Sequence, residues 1–305
     1  MKAAYIEKFG GPEVLKVGNL PDPSPGPGQV VVDVAAASIN AADWKVRAGE
    51  YKQANFPLVL GRDFSGVVSA IGSGVDLKVG DEVFGVLEAG RDGTYCEKIA
   101  IGGAIVGKKP AALSHVDAAA LALTGLTAIC AVEEALKLKA GETILIQGGA
   151  GGVAGFAIQL AKHIGARVIT TASAANAAYL RGLGADEVID YNATDFTKAV
   201  KNVDAVFDTV GGDVATRSFA VLKPGGRAAF IASGAQAPKP ERSDVTALRP
   251  AVPRTRAHME RIAKLITSGA VKPQHVTTYD LKDAQKALRV SAERHFKGKL
   301  VLKMK

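Results

Sequence analysis

Residues 144–155 read ILIQGGAGGVAG, and FAIQLAKHIGARVITTAS follows. Five glycines fall in eight positions directly behind an apolar run. ILIQ suits a buried strand, and the apolar spacing of VAGFAIQLAKHIG suits a helix. The stretch therefore reads as strand, glycine turn, helix. In that context Gly149-x-Gly151-x-x-Ala154 has the G-x-G-x-x-G/A spacing of a dinucleotide-binding turn. The first glycine permits a tight turn, the second lets a pyrophosphate approach the backbone, and the small third residue lets helix and strand pack closely. Free N–H groups and the dipole at the helix N-terminus favour phosphate oxygens there. Gly149, Ala150, Gly151, Gly152 and Val153 are thus the candidate pyrophosphate cradle.

Outward from this turn the pattern repeats. ARVITTAS, DEVIDY, VDAVFDTV and RAAFIAS read as strands. AANAAYLRGLG, DFTKAVK and VATRSFAVL read as the helices between them. Alternation of this kind builds βαβ units and a parallel sheet. The first hundred residues differ. They are strand-rich with glycine punctuation and a proline run, PDPSPGPGQ, and suggest a barrel-like β domain. HVDAAALALTGLTAICAVEEAL is helical, with Ser114 as its N-cap. A polar stretch with three prolines (238–253 holds a fourth at its start) precedes a helix, RAHMERIAKLITSGA, and KGKLVLKM is a final strand expected to return to the first domain. The expected class is α/β, with residues 1–118 and 268–305 in the β-rich domain and 119–267 in a doubly wound parallel-sheet domain.

An acid about 20 residues beyond the glycines would bind a ribose 2′-hydroxyl and favour NAD. No acid lies between Glu142 and Asp186. Ser173, Asn176 and Arg181 stand there instead, and hydroxyl, amide and guanidinium all suit an added 2′-phosphate. NADP(H) is therefore the expected cofactor. Arg181 reads equally as an exposed helix residue.

The chain has 305 residues, 48% of them apolar, enough for two domains with real cores. No apolar run in the sequence reaches the roughly 20 residues that span a bilayer. The N-terminus carries acids and does not read as a signal peptide. Two cysteines far apart, Cys96 and Cys130, form no disulfide framework, and a cytoplasmic location is expected. Net charge is +8, but residues 238–305 hold 16 Lys/Arg against 6 Asp/Glu, and the rest 22 against 24. A basic tail invites nucleic acid. With 6% aromatics and only Tyr279 and Phe296 in the tail, no stacking platform accompanies it, so a nucleic-acid partner is not expected.

SINAADWKVRAG, FPLVLGRDFSGVV, VGDEVFG, GTYCEK, ALTGLTA, GGAGGVAG, LGADEVIDY, FDTVGG, LKPGGR and GKLVL occur in that order. In these blocks the chain resembles the zinc-independent quinone oxidoreductases, the zeta-crystallin-like group of the medium-chain dehydrogenase/reductase superfamily. The resemblance implies a GroES-like catalytic domain, a Rossmann domain and NADPH between them. It implies hydride transfer to a quinone or an activated α,β-unsaturated carbonyl, or alternatively to an alkenal or a secondary-metabolite intermediate. Zinc-dependent relatives place a cysteine where this chain has Asn40 and Gly-His-Glu where it has Gly61-Arg62-Asp63, so no metal is expected. The five histidines (115, 163, 258, 275 and 295) show no ligand spacing.

The same resemblance places SINAADWK beside the nicotinamide. Asn40 is the candidate for hydrogen bonds to cofactor or substrate, or else a turn residue. Lys45 is the candidate to polarise the substrate carbonyl and deliver a proton, or else faces solvent. Asp43 holds that lysine or caps a helix, and Tyr51 lines the pocket or only packs. Thr127, Tyr191, Val210, Ile231 and Ser233 complete the cofactor set, and Lys299 reaches a phosphate or lies at the surface. Relatives pair two subunits through an apolar edge strand. A homodimer is expected here too, although ERSDVTALRPAVPRTRAHM is an unusual edge.

Overall fold

Residues 1–51, 55–88, 93–294 and 296–304 are described in the computed structural model of the chain. His295, one of the five histidines, lies outside them. One unit takes Met1–Leu123, Arg254–Ser268 and Pro273–Lys305; the other takes Thr124–Pro253 and Gly269–Lys272.

The first unit opens with β1 (Lys2–Ile6), β2 (Lys16–Asn19) and β3 (Gln29–Ile39). Then come α1 (Ala41–Ala48), β4 (Leu58–Val59), β5 (Asp63–Ile71), β6 (Glu82–Val86), β7 (Lys98–Gly102) and β8 (Val106–Lys108). β3 is the spine of this unit. It pairs antiparallel with β5 along its length and with β7 at one end. Two register shifts break the β3–β5 ladder, and such irregularities bend a sheet toward closure. Val30, Val32 and Val34 point from β3 into a core with Phe64, Val83, Tyr95 and Leu300.

The helix α2 (His115–Ile129) starts as expected, with Ser114 Oγ accepting the Asp117 N–H at 3.0 Å. It continues as a π-turn over Cys130–Ala135. This combined helix, His115–Ala135, is long and apolar enough to cross a membrane, which the sequence reading did not find. Its most apolar window is 78% buried, as in a core helix.

The second unit alternates as predicted through β9 (Thr143–Gln147), α3 (Gly152–Ile164), β10 (Arg167–Ala172), α4 (Ala177–Gly182) and β11 (Glu187–Asp190). α5 (Phe196–Ala199), β12 (Val203–Asp208), α6 (Gly212–Arg217), β13 (Leu222–Phe230) and β14 (Thr246–Leu248) follow. The sheet runs β11-β10-β9-β12-β13-β14, all parallel. Relative to β9 as the first strand, this is the 3-2-1-4-5-6 order, whose direction reverses between β9 and β12. Ligands bind at such a switch point, outside the carboxyl ends of the strands.

Four elements depart from what the sequence pattern predicts. The proline-bearing stretch after β13 contains β14, which the prolines tolerate because it is an edge. α7 (Arg256–Thr267), assigned above to the Rossmann segment, packs on β8 of the first unit instead. Its Arg256 guanidinium donates to Gly103 O at 2.7 Å and pairs with Asp76, and Met259 closes over Gly107. β15 (Val276–Asp280) and α8 (Ala284–Glu293) are elements that the sequence pattern does not predict. The last strand, β16 (Lys299–Lys303), lies between β15 and β3, so the tail does return to the first domain.

Candidate functional site

The carboxyl edge of the second unit's sheet is organised around the glycine turn. Gly148 has φ 76°, so it makes the reversal. A Cβ on Gly149 would overlap Thr170 Oγ1, which donates to Ile146 O at 2.6 Å in the neighbouring ladder. Gly149 is thus small because β10 lies against it, which shifts the structural duties of the turn back by one residue. Gly151 is different. Its φ of −77° suits any residue, and a Cβ there would meet only Gly148 O at 3.5 Å. Nothing in the fold demands glycine at 151. It opens α3, where the N–H groups lack helical partners, and the missing side chain leaves room for an anion to approach.

A buried polar relay holds this turn. Gly148 N–H donates to Thr171 Oγ1 (3.1 Å), which donates to Gln147 Oε1 (2.7 Å). Thr209 Oγ1 donates to Gln147 O at 2.8 Å. Beyond β12, the Asp208 carboxylate accepts the N–H groups of Val210 and Gly211 at 3.2 and 2.9 Å. Burial pushes its carboxyl above the usual range, and those two bonds oppose the shift. Val210 stands beside Gly148 and stays 37% exposed. Gly211 abuts Ala232, between Ile231 and Ser233, and Ser233 Oγ is buried with no hydrogen-bond partner. At the end of β10, Asn176 Nδ2 donates to Ser173 Oγ at 3.1 Å, and Tyr191 N–H donates to Ala172 O at 3.3 Å with its side chain exposed. The structure thus gathers the glycine turn, Ser173, Asn176, Tyr191, Val210, Ile231 and Ser233 along one edge. Arg181 is an exposed residue of α4, and Thr127 lies in α2, mostly buried. The edge fits a dinucleotide, with an open approach at Gly151 and neutral donors beyond β10.

The first unit builds a second constellation where β3 meets α1. Asn40 precedes α1 in extended backbone. Asp43 Oδ2 accepts the Asn40 N–H (2.8 Å) and the Tyr95 hydroxyl (2.6 Å), while its other oxygen is buried without a partner. Burial raises the Asp43 carboxyl to about 6 and Tyr95 well above its ordinary value. The cap reading of Asp43 therefore holds, and the lysine-holding reading does not. Lys45 faces Glu50 at 3.7 Å and lies over the Trp44 ring. Tyr51 is 57% exposed.

Around the Asn40 side chain lie Asp63, Ser38 and Lys299. Asn40 Nδ2 donates to Asp63 Oδ1 at 2.8 Å and to Ser38 O at 3.3 Å. Asp63 Oδ2 accepts Ser38 Oγ at 2.7 Å and the Leu123 N–H at 3.3 Å. Lys299 Nζ donates to Ile39 O and to Asn40 Oδ1, both at 2.7 Å. This corrects the phosphate role for Lys299. β16 inserts the residue beside β3 and its ammonium is spent there, 5% exposed. Burial raises the Asp63 carboxyl and lowers the Lys299 amine, and each charge opposes the other's shift. Sequence reasoning missed Asp63, Ser38, Tyr95, Gln147 and Thr171 as site residues. The available signal was a charged residue inside the apolar run FPLVLGRDFSGVV. The donors around Asn40 are amide, carboxylate and hydroxyl with an ammonium among them, a set unsuited to zinc.

A parallel sheet of this order with its glycine turn, together with a separate β-rich unit carrying a polar constellation, defines a two-domain oxidoreductase. Residues 26–128 match the alcohol dehydrogenase GroES-like domain, and residues 183–302 match the zinc-binding dehydrogenase family. The chain is 37% identical over 286 residues to a 2-methylene-furan-3-one reductase of Solanum lycopersicum, covering 90% of this chain and 71% of that protein. It is 35% identical over 288 residues to the chloroplastic NADPH-dependent alkenal/one oxidoreductase of Arabidopsis thaliana, with the same coverage. The solved quinone oxidoreductase of Coxiella burnetii superposes with a TM-score of 0.93 at 34% identity, covering 100% of this chain and 99% of that one. The chain belongs to the medium-chain dehydrogenase/reductase superfamily.

Proposed function

We propose that this oxidoreductase is an NADPH-dependent reductase that passes hydride to quinones or α,β-unsaturated carbonyls without zinc. The observation that carries the reading is Gly151. It is a glycine the fold does not need, at the switch point of the sheet, where a pyrophosphate needs an approach. Bound NADPH supplies the hydride. The chain's own residues bind and orient. The N–H groups opening α3 take the pyrophosphate, and Ser173, Asn176 and Tyr191 face the 2′-phosphate. Ile231 and Ser233 flank the ring. Asn40 is the candidate for hydrogen bonds to cofactor or substrate, and Lys45 for the substrate carbonyl. An acceptor whose developing charge spreads over a conjugated system needs no metal, which agrees with a constellation already holding the Lys299 ammonium.

Two relatives named as reducing a methylene-furanone and alkenals or alkenones favour enones as acceptors beside quinones. A cytoplasmic location belongs to the same proposal and agrees with two buried cysteine thiols. So does a homodimer through the outer edge of β14. Nucleic acid is not among the proposed partners, and a mobility-shift titration of single-stranded DNA should show no retardation at physiological salt.

The test follows oxidation of NADPH and NADH spectrophotometrically with quinones, enones and alkenals as acceptors. Consumption of NADPH with a conjugated acceptor, faster than that of NADH, is the expected result. Tight NADPH binding without turnover of any acceptor would overturn the substrate class. Failure to bind NADPH would overturn the whole reading.

A further inference from the structure

Gln147 ends β9 as an amide behind three buried apolar residues, and it is itself 1% exposed. It reaches three other segments of the second unit. Its backbone oxygen accepts Thr209 Oγ1 at 2.8 Å, its Oε1 accepts Thr171 Oγ1 at 2.7 Å, and its Nε2 donates to Ser218 Oγ at 3.2 Å. Ser218, just beyond α6, donates in turn to Val214 O at 2.8 Å. A hydroxyl has a single hydrogen to give. That of Thr171 goes to Gln147, so a lone pair is left for the Gly148 N–H at 3.1 Å. That of Ser218 goes to Val214, so a lone pair is left for the Gln147 amide. The donors therefore run one way, from Gly148 through Thr171, Gln147 and Ser218 to Val214. The two ends of a glutamine amide are normally hard to distinguish, but flipping this one would take the acceptor from Thr171 and draw the Ser218 hydrogen off Val214.

The ends of this chain lie on the two sides of the switch point: the glycine turn follows β9, and α6 follows β12. We infer that Gln147 is a positioning residue that fixes the glycine turn against α6, and with it the width of the crevice that takes the pyrophosphate, a role that rests on the proposed reading of this edge as the NADPH site. Gln147 acts through Gly148 on one side and through Ser218 on the other. An apolar residue of similar volume would fill the same space and hold neither. Hydrogen bonds in a buried chain polarise one another, so a break at one member weakens the rest. Gln147, Thr171 and Ser218 are all buried, and bulk water does not replace a missing member.

The experiment compares wild type with Ser218→Ala, Thr171→Val, Thr171→Ser and the double variant Thr171→Val/Ser218→Ala. The NADPH Kd is measured by calorimetry, ligand-free stability by urea denaturation, and the Gly148 amide by NMR without ligand. Ser218→Ala breaks the end of the chain remote from the turn and is expected to raise Kd about tenfold, the scale of one hydrogen bond. Thr171→Val keeps the volume, loses the hydroxyl and should do the same. Both changes break one chain, so the double variant should raise Kd no further than the larger single effect. Effects that multiply, to about 100-fold in the double variant, would mean that the bonds act separately and the inference fails. A loss of stability with Kd untouched would make the chain merely structural and overturn it too. Thr171→Ser gives up a buried methyl, and stability with it, but keeps the hydroxyl. Its Kd should stay at the wild-type value; a Kd raised as in Thr171→Val would assign the effect to packing and sink the positioning role. Should wild type bind no NADPH, the proposed function falls and the Gly148 amide decides the rest. An upfield shift of its proton in Ser218→Ala upholds the chain from α6 to the turn, and an unmoved signal sinks it.

Discussion

At the scale of single residues, the glycine turn separates two reasons for having no side chain. Gly149 is crowded by Thr170, a protein contact; Gly151 has space that no protein atom fills. Substitution should therefore have opposite consequences. Gly149→Ala forces Thr170 or the β9–β10 ladder to shift, at about 1–3 kcal/mol, whatever is bound. Gly151→Ala changes only a helix N-cap and costs less than about 1 kcal/mol. In the proposed cofactor site, however, its methyl group would stand where the pyrophosphate comes in. NADPH Kd should rise at least about tenfold, or 1.4 kcal/mol. Urea denaturation without ligand and NADPH titration of each variant test the pair. Unchanged NADPH affinity in Gly151→Ala would remove the anion cradle from position 151, and an undiminished stability in Gly149→Ala would contradict the packing against Thr170.

At the scale of elements, the start of α1 shows how a cap can carry a pH dependence. Asp43 holds the first turn through the Asn40 N–H while buried beneath Tyr95. Its folded-state pKa of about 6 lies above the ordinary carboxylate value of 3.8. The folded protein thus keeps this proton in a range where the unfolded chain has lost it. The linked stability is fully present below about pH 4 and lost as pH rises through about 6, on the order of 3 kcal/mol in total. Asp43→Asn keeps an acceptor for both bonds and cannot ionise. The difference in unfolding free energy between wild type and Asp43→Asn should change between pH 4 and pH 6.5 and level off above; parallel curves would refute the assignment.

Elements also show what the sequence could and could not reveal. β9 to β13 with their helices, the Ser114 cap and the return of the last strand to the first domain were readable, because local periodicity and turn chemistry dictate them. β14 was hidden by flanking prolines. Its place is set by the free edge of β13, a tertiary fact. α7 reads as a helix but carries no mark of which unit it joins, and the Arg256–Asp76 pair spans 180 residues. Lys299 was misread for the same reason. A lysine before LVL looks like a surface residue until β16 slots in beside β3.

On the scale of the whole molecule, the basic tail illustrates why composition is a weak guide to partners. Arg242 pairs with Asp244, Arg256 with Asp76, and Lys303 approaches Asp280, while Lys299 is buried. Part of the excess charge is thus answered within the fold. The dinucleotide edge, by contrast, belongs wholly to the second unit. The glycine turn and residues 173–176, 191, 208–211 and 231–233 all fall in Thr124–Pro253. Binding there must stabilise that unit by mass action. At a free NADPH concentration about 100 times Kd the gain is about 2.7 kcal/mol. Amides of β9, β10, β12 and β13 that exchange through opening of the sheet should then exchange about 100-fold more slowly. NADH at the same concentration should slow them less, because Ser173, Asn176 and Tyr191 would have no 2′-phosphate to meet. Hydrogen-exchange mass spectrometry on the intact chain reads both effects. Equal protection by the two cofactors would remove the 2′-phosphate from the end of β10, and no protection by either would take the dinucleotide off this sheet altogether.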